Sequence, residues 1–142
     1  MKTEKGSERV KTVLCVDDEE NVLNALKRLF RGMPYRVLTS ASSEEALRIV
    51  ETEKPDLILL DLRMPELDGW GFLKEIRSRG LTNLPVVMVT GEGSDESAMR
   101  GYREGGTYYI TKPFKNETVR QIVDYLIGDL SEEQRRWLEQ RL

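Results

Sequence analysis

Short apolar runs alternate along the chain with longer stretches of helical period. The runs are Val13–Val16, Leu57–Leu60 and Val86–Val89, with weaker ones at Tyr35–Leu38 and Tyr108–Ile110. Continuous apolarity, as opposed to strict alternation, suits strands covered on both faces, as in a parallel sheet. Between them, Val22, Leu23, Ala25, Leu26, Leu29 and Phe30 form one helical stripe, with Gly32 as a stop signal. A capping box, Ser42-x-x-Glu45, opens a second helix that turns Ala46, Leu47 and Val50 inward. A third helix, about Trp70 to Arg79, buries Phe72, Leu73 and Ile76 and ends at Gly80. Ser94 can cap a fourth, whose apolar face is thin (Ala98, Met99, Tyr102). A fifth, Asn116 to Ile127, carries Val119, Ile122, Val123 and Leu126. The order is βαβαβαβαβα, which predicts an α/β fold with right-handed crossovers and helices on both faces of a parallel sheet.

After Gly128 a second capping box, Ser131-x-x-Gln134, opens a short helix running to Leu142. Two readings stand for it: an extra helix packing on the domain edge, or a linker or dimerisation segment. The cost of leaving Trp137 in water favours the first.

Length and charge narrow the picture. The chain has 142 residues, 25 acidic and 22 basic side chains, one cysteine and no histidine. That supports one domain with a real core. Near-balanced charge argues against the basic footprint of direct nucleic-acid binding. A lone cysteine excludes an internal disulfide framework, and Cys15 lies within an apolar run, where an inert core thiol is expected. The longest apolar runs are four residues, far short of a membrane span. With no secretory h-region visible, the expected compartment is the cytoplasm. The absent histidine removes the commonest general base, the Ser-His and Cys-His pairs and every His-ligated metal site. Chemistry must rest on carboxylates, hydroxyls, amines or an oxygen-bound metal.

Such groups gather where an open α/β sheet binds ligands, beyond the carboxyl ends of its strands. The first strand runs into Asp17, Asp18 and Glu19, the third into Asp61, the fourth ends at Thr90, and Lys112-Pro113 follows the fifth. Each alone has a dull explanation, a cap or a turn; together they mark one rim. Two carboxylates about 5 Å apart repel by roughly 3 kcal/mol at an effective dielectric of about 20. A divalent cation would cancel that cost. With only oxygen ligands to hand it should be Mg²⁺, or Mn²⁺ in its place. Lys112 and Thr90 add a cation and a donor for an incoming anion, so the rim reads as a phosphoryl-handling site.

The motifs Val16-Asp17-Asp18-Glu19-Glu20, Asp61-Leu62-Arg63-Met64-Pro65-Glu66-Leu67-Asp68-Gly69, Thr90-Gly91 and Lys112-Pro113-Phe114 resemble those of the receiver domains of bacterial two-component response regulators. The resemblance spans about Lys11 to Leu130. It implies a flavodoxin-like, doubly wound (βα)5 three-layer sandwich with strand order 2-1-3-4-5. Residues 1–10 would then be a flexible tail, 11–130 the receiver domain and 131–142 a helical extension or linker. It implies that Asp61 is the phosphoacceptor and that Asp17 and Asp18 bind Mg²⁺ with Asp61 and the backbone carbonyl of Arg63. Lys112 would contact the phosphoryl group, and Thr90 would hydrogen-bond it. Thr90 and Tyr109 would form the switch, and Arg63 and Glu92 would tune phosphoryl lifetime. Gly106-Thr107-Tyr108 departs from the family's frequent Ala-Asp-Asp and leaves these groups untouched.

The implied function is two-component signalling. A sensor histidine kinase or phosphotransfer protein supplies the phosphoryl group. The chain catalyses only its own phosphorylation and dephosphorylation, and acts on no separate substrate. Its response surface would be the fourth predicted helix, the fifth strand and the helix at 116–127, open to a homodimer partner or an output domain. No membrane partner is implied. Having no histidine, the chain cannot be a donor of the histidine kind. Two rival readings are a Mg²⁺-dependent phosphohydrolase and a pseudo-receiver that only docks partners. The first wants Asp-x-Asp after the first strand and a cap domain; the second usually lacks a site carboxylate or lysine.

Overall fold

A computed structural model describes residues 9–64, 67–91 and 105–142, with Thr90 described by its backbone alone. Glu92 and the helix predicted from Ser94 lie outside the described residues. So do Pro65, Glu66 and residues 1–8 of the predicted tail.

The elements run β1 (Lys11–Val16), α1 (Glu20–Leu29), β2 (Tyr35–Ser40), α2 (Ser43–Glu53), β3 (Leu57–Leu60), α3 (Gly69–Ser78), β4 (Val86–Thr90), β5 (Tyr108–Thr111), α4 (Asn116–Ile127) and α5 (Glu132–Glu139). All strand pairs are parallel, in the order β2-β1-β3-β4-β5. This is the flavodoxin-like arrangement expected.

Strand side chains alternate between faces, and both faces are covered. Val13 and Cys15 of β1 join Leu57, Leu59, Val87 and Val89 against α1 and α4. Leu14 and Val16 join Ile58, Leu60, Val86 and Met88 against α2 and α3. That is why the central strands read as unbroken apolar runs. Cys15 is fully buried and its thiol is pushed up to about 12 by burial and by the charge of Asp17, so it is inert. At the edge, β2 leaves Arg36 exposed and most of its other side chains half-buried, which accounts for its weaker run.

Two local expectations changed. Ser42 caps α2 by accepting from the Glu45 N–H at 3.2 Å, but the Glu45 carboxylate accepts from Ser40 Oγ at 3.0 Å. The Ser42 N–H turns to Ser40 Oγ instead of closing the box. The Ser131–Gln134 box, by contrast, is complete. The second change concerns Trp137, which is 49% exposed, while Leu138 at 6% makes the buried contact of α5. The Arg141 guanidinium covers the indole at 3.6 Å from its centroid, so stacking supplies part of what burial was expected to supply.

No helix among the described residues is long and apolar enough to cross a membrane. Arg9, assigned to the tail on sequence, forms a bidentate pair with Asp56 at 2.7 and 3.1 Å.

Candidate functional site

The carboxyl ends of β1, β3 and β5 bring the acidic residues and the lysine together. Val16 stands opposite Leu60 in the β1–β3 register, so the next residues, Asp17 and Asp61, are neighbours. The Asp61 N–H donates to the Val16 carbonyl at 2.9 Å, and the Asp17 N–H to that of Ser40 at 3.1 Å. Sheet hydrogen bonding therefore fixes both backbones one residue past the strands. Asp17 and Asp61 are 3% and 5% exposed, whereas Asp18 is exposed. One carboxylate oxygen from each of the three lies within 4.8 Å of the others.

Lys112 leaves the end of β5 and bridges the pair. Its Nζ donates to Asp17 Oδ2 at 2.8 Å and lies 3.7 Å from both Asp61 Oδ1 and Glu19 Oε1. Its peptide to Pro113 is cis. Burial opposes the ammonium charge. The hydrogen bond to Asp17, with the charges of Asp17, Asp61 and Glu19, nevertheless holds the Lys112 pKa above the usual lysine value.

Asp61 is not the ordinary aspartate its sequence context suggests. Burial, then the Asp17 charge, push its carboxyl up to about 6, with Asp18 adding to the shift. Lys112 and the Arg63 backbone amide, which hydrogen-bonds the carboxylate, restrain it. At pH 7 it is still mostly ionised. One lysine thus faces Asp17 and Asp61, with Asp18 and Glu19 beside them, an electrostatic deficit that a divalent cation would reduce. An octahedral Mg²⁺ with ligands at about 2.0–2.1 Å holds neighbouring oxygens about 2.9 Å apart and opposite ones about 4.1 Å. Three carboxylate oxygens within 4.8 Å of one another, with no nitrogen or sulfur ligand beside them among the described residues, are a donor set that fits a hard, oxygen-bound cation.

The remaining predicted residues fall around this centre. The Arg63 side chain is exposed. Thr90 ends β4 beside Thr111 in register, which puts its backbone on the same rim. Tyr109, three residues before Lys112, is half-buried and packs against the core cluster on the α2–α3 face.

Sequence reasoning missed the supports of the Asp61 loop. A Cβ on Gly69 would lie 2.6 Å from the Asp61 carbonyl oxygen and 2.6 Å from Leu62 Cα, both backbone atoms. The Gly69 N–H closes the loop on the Leu62 carbonyl at 2.8 Å. Asp68 caps α3 through the Gly71 N–H, and the fully buried Ser43 accepts from the Leu67 N–H at 3.1 Å. The Asp-Gly pair was visible in the motif; the Ser43 bond crosses 24 residues and had no local signal. Gly69→Ala should therefore push the Asp61 backbone out of place. The expected cost is about 2 kcal/mol of stability, within the range for overpacking, together with weaker Mg²⁺ binding. Chemical denaturation and a Mg²⁺ titration check the two effects.

Comparisons with known proteins agree with this geometry. The family model for the response regulator receiver domain matches residues 13–124. The chain is 38% identical over 117 residues to the alkaline phosphatase synthesis transcriptional regulatory protein PhoP of Bacillus subtilis, covering 82% of this chain and 48% of that protein. It is 34% identical over 119 residues to the DNA-binding transcriptional regulator NtrC of Klebsiella pneumoniae, covering 84% and 25% respectively. The chain thus spans less than half the length of these relatives. Among solved structures, the Vibrio cholerae chemotaxis protein CheY4 superposes with a TM-score of 0.79 at 29% identity, over 84% of this chain and all of that one. The receiver domain of the Francisella response regulator 1452 gives 0.78 at 30% identity, over 82% and 95%. The chain therefore belongs to the receiver domains of two-component response regulators, a family whose general function is phosphorylation on an aspartate.

Proposed function

We propose that Asp61 is the phosphoacceptor and that Lys112 and the acidic pair Asp17–Asp18 assist the transfer. The observation that carries this reading is the Lys112 ammonium, held at 2.8 Å by Asp17 and 3.7 Å from Asp61 on a buried rim. The Asp61 carboxylate attacks phosphorus in line; the bond to the donor's nitrogen or oxygen breaks, and the donor leaves with that electron pair. The nucleophile is already ionised near neutral pH and needs no general base. Lys112 takes up charge on a phosphoryl oxygen, and Thr90 donates a hydrogen bond to another. Asp17, Asp18, Asp61 and the Arg63 carbonyl would hold Mg²⁺, or Mn²⁺, which supplies charge neutralisation for the transferring group.

Partners follow from the family. Receivers take their phosphoryl group from histidine kinases or phosphotransfer proteins, and we assign the same source here. Thr90 and Tyr109 are assigned the switch. The edge formed by β5 and α4, with the segment from Ser94, is assigned as the surface for an output domain or a second copy. We assign residues 11–130 as the receiver, 131–142 as its extension and the cytoplasm as its compartment. Arg63 and Glu92 are assigned to phosphoryl lifetime; Arg63→Ala and Glu92→Ala should each change the decay rate of the phosphorylated protein after donor removal. The direct test is incubation with acetyl phosphate and Mg²⁺. A mass gain of one phosphoryl group, lost in Asp61→Ala, supports the reading, and no gain in the unaltered protein overturns it.

A further inference from the structure

The helix α5 lies beyond the segment that the family model matches, and it docks on α4, next to the β5 edge of the sheet. Arg135 Nη1 donates to the Tyr125 carbonyl of α4 at 2.9 Å, and its guanidinium covers the Tyr125 ring at 5.0 Å. The Tyr125 hydroxyl donates to Glu139 Oε2 at 2.7 Å, and Leu138 is the one α5 side chain that is buried. Past the helix, Arg141 and Leu142 line a cavity of about 280 Å³ whose other walls are Tyr108–Thr111 of β5 and Thr118, Gln121 and Ile122 of α4. Residues 141 and 142 therefore stand across this cavity from the terminal strand of the sheet, an edge that folded proteins must shield.

This docking is slight, and it is tied to the helix itself. One buried leucine and a few contacts hold an eight-residue helix, a length that is marginal for an isolated helix in water. Undocking and melting should therefore be one event. The neighbouring strand, β5, is paired with β4 along its whole length. At its start, Arg77 donates to the Gly105 carbonyl, and Thr107 exchanges hydrogen bonds with Val86 at 2.8 and 3.0 Å. At its other end, Thr111 runs directly into Lys112, whose ammonium is held by Asp17 and stands further from Asp61. Converting the Asp61 carboxylate to an acyl phosphate replaces one negative charge by nearly two, a net gain of up to about one, and places it on phosphoryl oxygens on the Asp61 side of that ammonium. It would draw Lys112 from Asp17 and pull on the end of β5 that Lys112 follows. Arg141 and Leu142 face that strand across the shared cavity in the unmodified protein.

We propose that residues 132–142 are the resident occupant of the β5–α4 edge and that phosphorylation releases them. The proposal rests on Asp61 being the phosphoacceptor. By reciprocity, whatever undocks the segment must also favour the phosphorylated state.

Hydrogen–deuterium exchange of the full chain, with and without acetyl phosphate and Mg²⁺, tests this alongside intact mass. Peptides covering 131–142 should exchange at least about tenfold faster in the phosphorylated protein, and Asp61→Asn should abolish the change. Leu138→Glu should give the fast exchange without phosphorylation and raise the phosphorylated fraction at limiting donor. Tyr125→Phe, which keeps the core intact and removes the Glu139 contact, should do both to a smaller degree. A protein phosphorylated by mass whose 131–142 peptides stay equally protected overturns the proposal alone. Absence of the mass gain overturns the phosphoacceptor reading and the proposal together.

Discussion

Lys112→Ala should slow phosphoryl transfer from acetyl phosphate by about two orders of magnitude, the usual effect of removing one prearranged charge donor from a transition state. The same substitution should leave Mg²⁺ binding intact or tighten it. Lys112 competes with a cation for Asp17, to which it donates at 2.8 Å, and its loss leaves three carboxylates with no ammonium among them. The two effects have opposite signs, so a collapsed site could not produce both. Time courses of intact mass give the rate, and a Mg²⁺ titration gives the affinity. A variant that loses both in parallel would show that Lys112 only holds the rim together.

The second large effect is on stability. Burial and the Asp17 charge push the Asp61 carboxyl up to about 6 from an unfolded value of 3.8. A folded pKa raised above the unfolded one favours the protonated group. Its contribution is present in full below about pH 4 and is lost as pH rises through 6, up to about 3 kcal/mol. In metal-free protein at pH 7.5, Asp61→Asn should therefore stabilise the fold by about 2 kcal/mol. That is a rise in Tm of roughly 5–10 °C for a domain of this size. The advantage should shrink through pH 6 and vanish near pH 4. Thermal melts of both proteins in chelator across that range give the difference directly. Mg²⁺ should reverse the order by stabilising the unaltered protein alone, and its affinity should weaken below pH 6 as protons compete for Asp61.

Much of this was legible along the chain, for a physical reason. A sheet with both faces covered needs unbroken apolar strands, and a parallel sheet sends every strand's carboxyl end to one rim. Val13–Val16 and Leu57–Leu60 thus carried the core, and the residues just after them carried the site. What could not be read was contact across sequence. Nothing local to Ser43 announces that it holds Leu67, and nothing local to Gly69 shows that the Asp61 carbonyl lies 2.6 Å from where a Cβ would be. Glu45 has the spacing of a capping box, yet Ser40, turned toward it by the end of β2, captures its carboxylate. Trp137 was expected inside because indoles are costly in water. The helix instead buries the adjacent Leu138, and Arg141, one turn on, covers the ring. The Asp61 pKa escaped for the same reason: neighbours supplied by other strands set it, not its own sequence context.

The central claim, that the phosphoryl group lands on Asp61, can be read at a single residue. Borohydride reduces an aspartyl phosphate to homoserine, releasing phosphate, and leaves free carboxylates untouched. Protein treated with acetyl phosphate and Mg²⁺, reduced and sequenced by tandem mass spectrometry should contain homoserine at position 61 and aspartate at 17 and 18. Homoserine at either of those positions, or at none, would contradict the account.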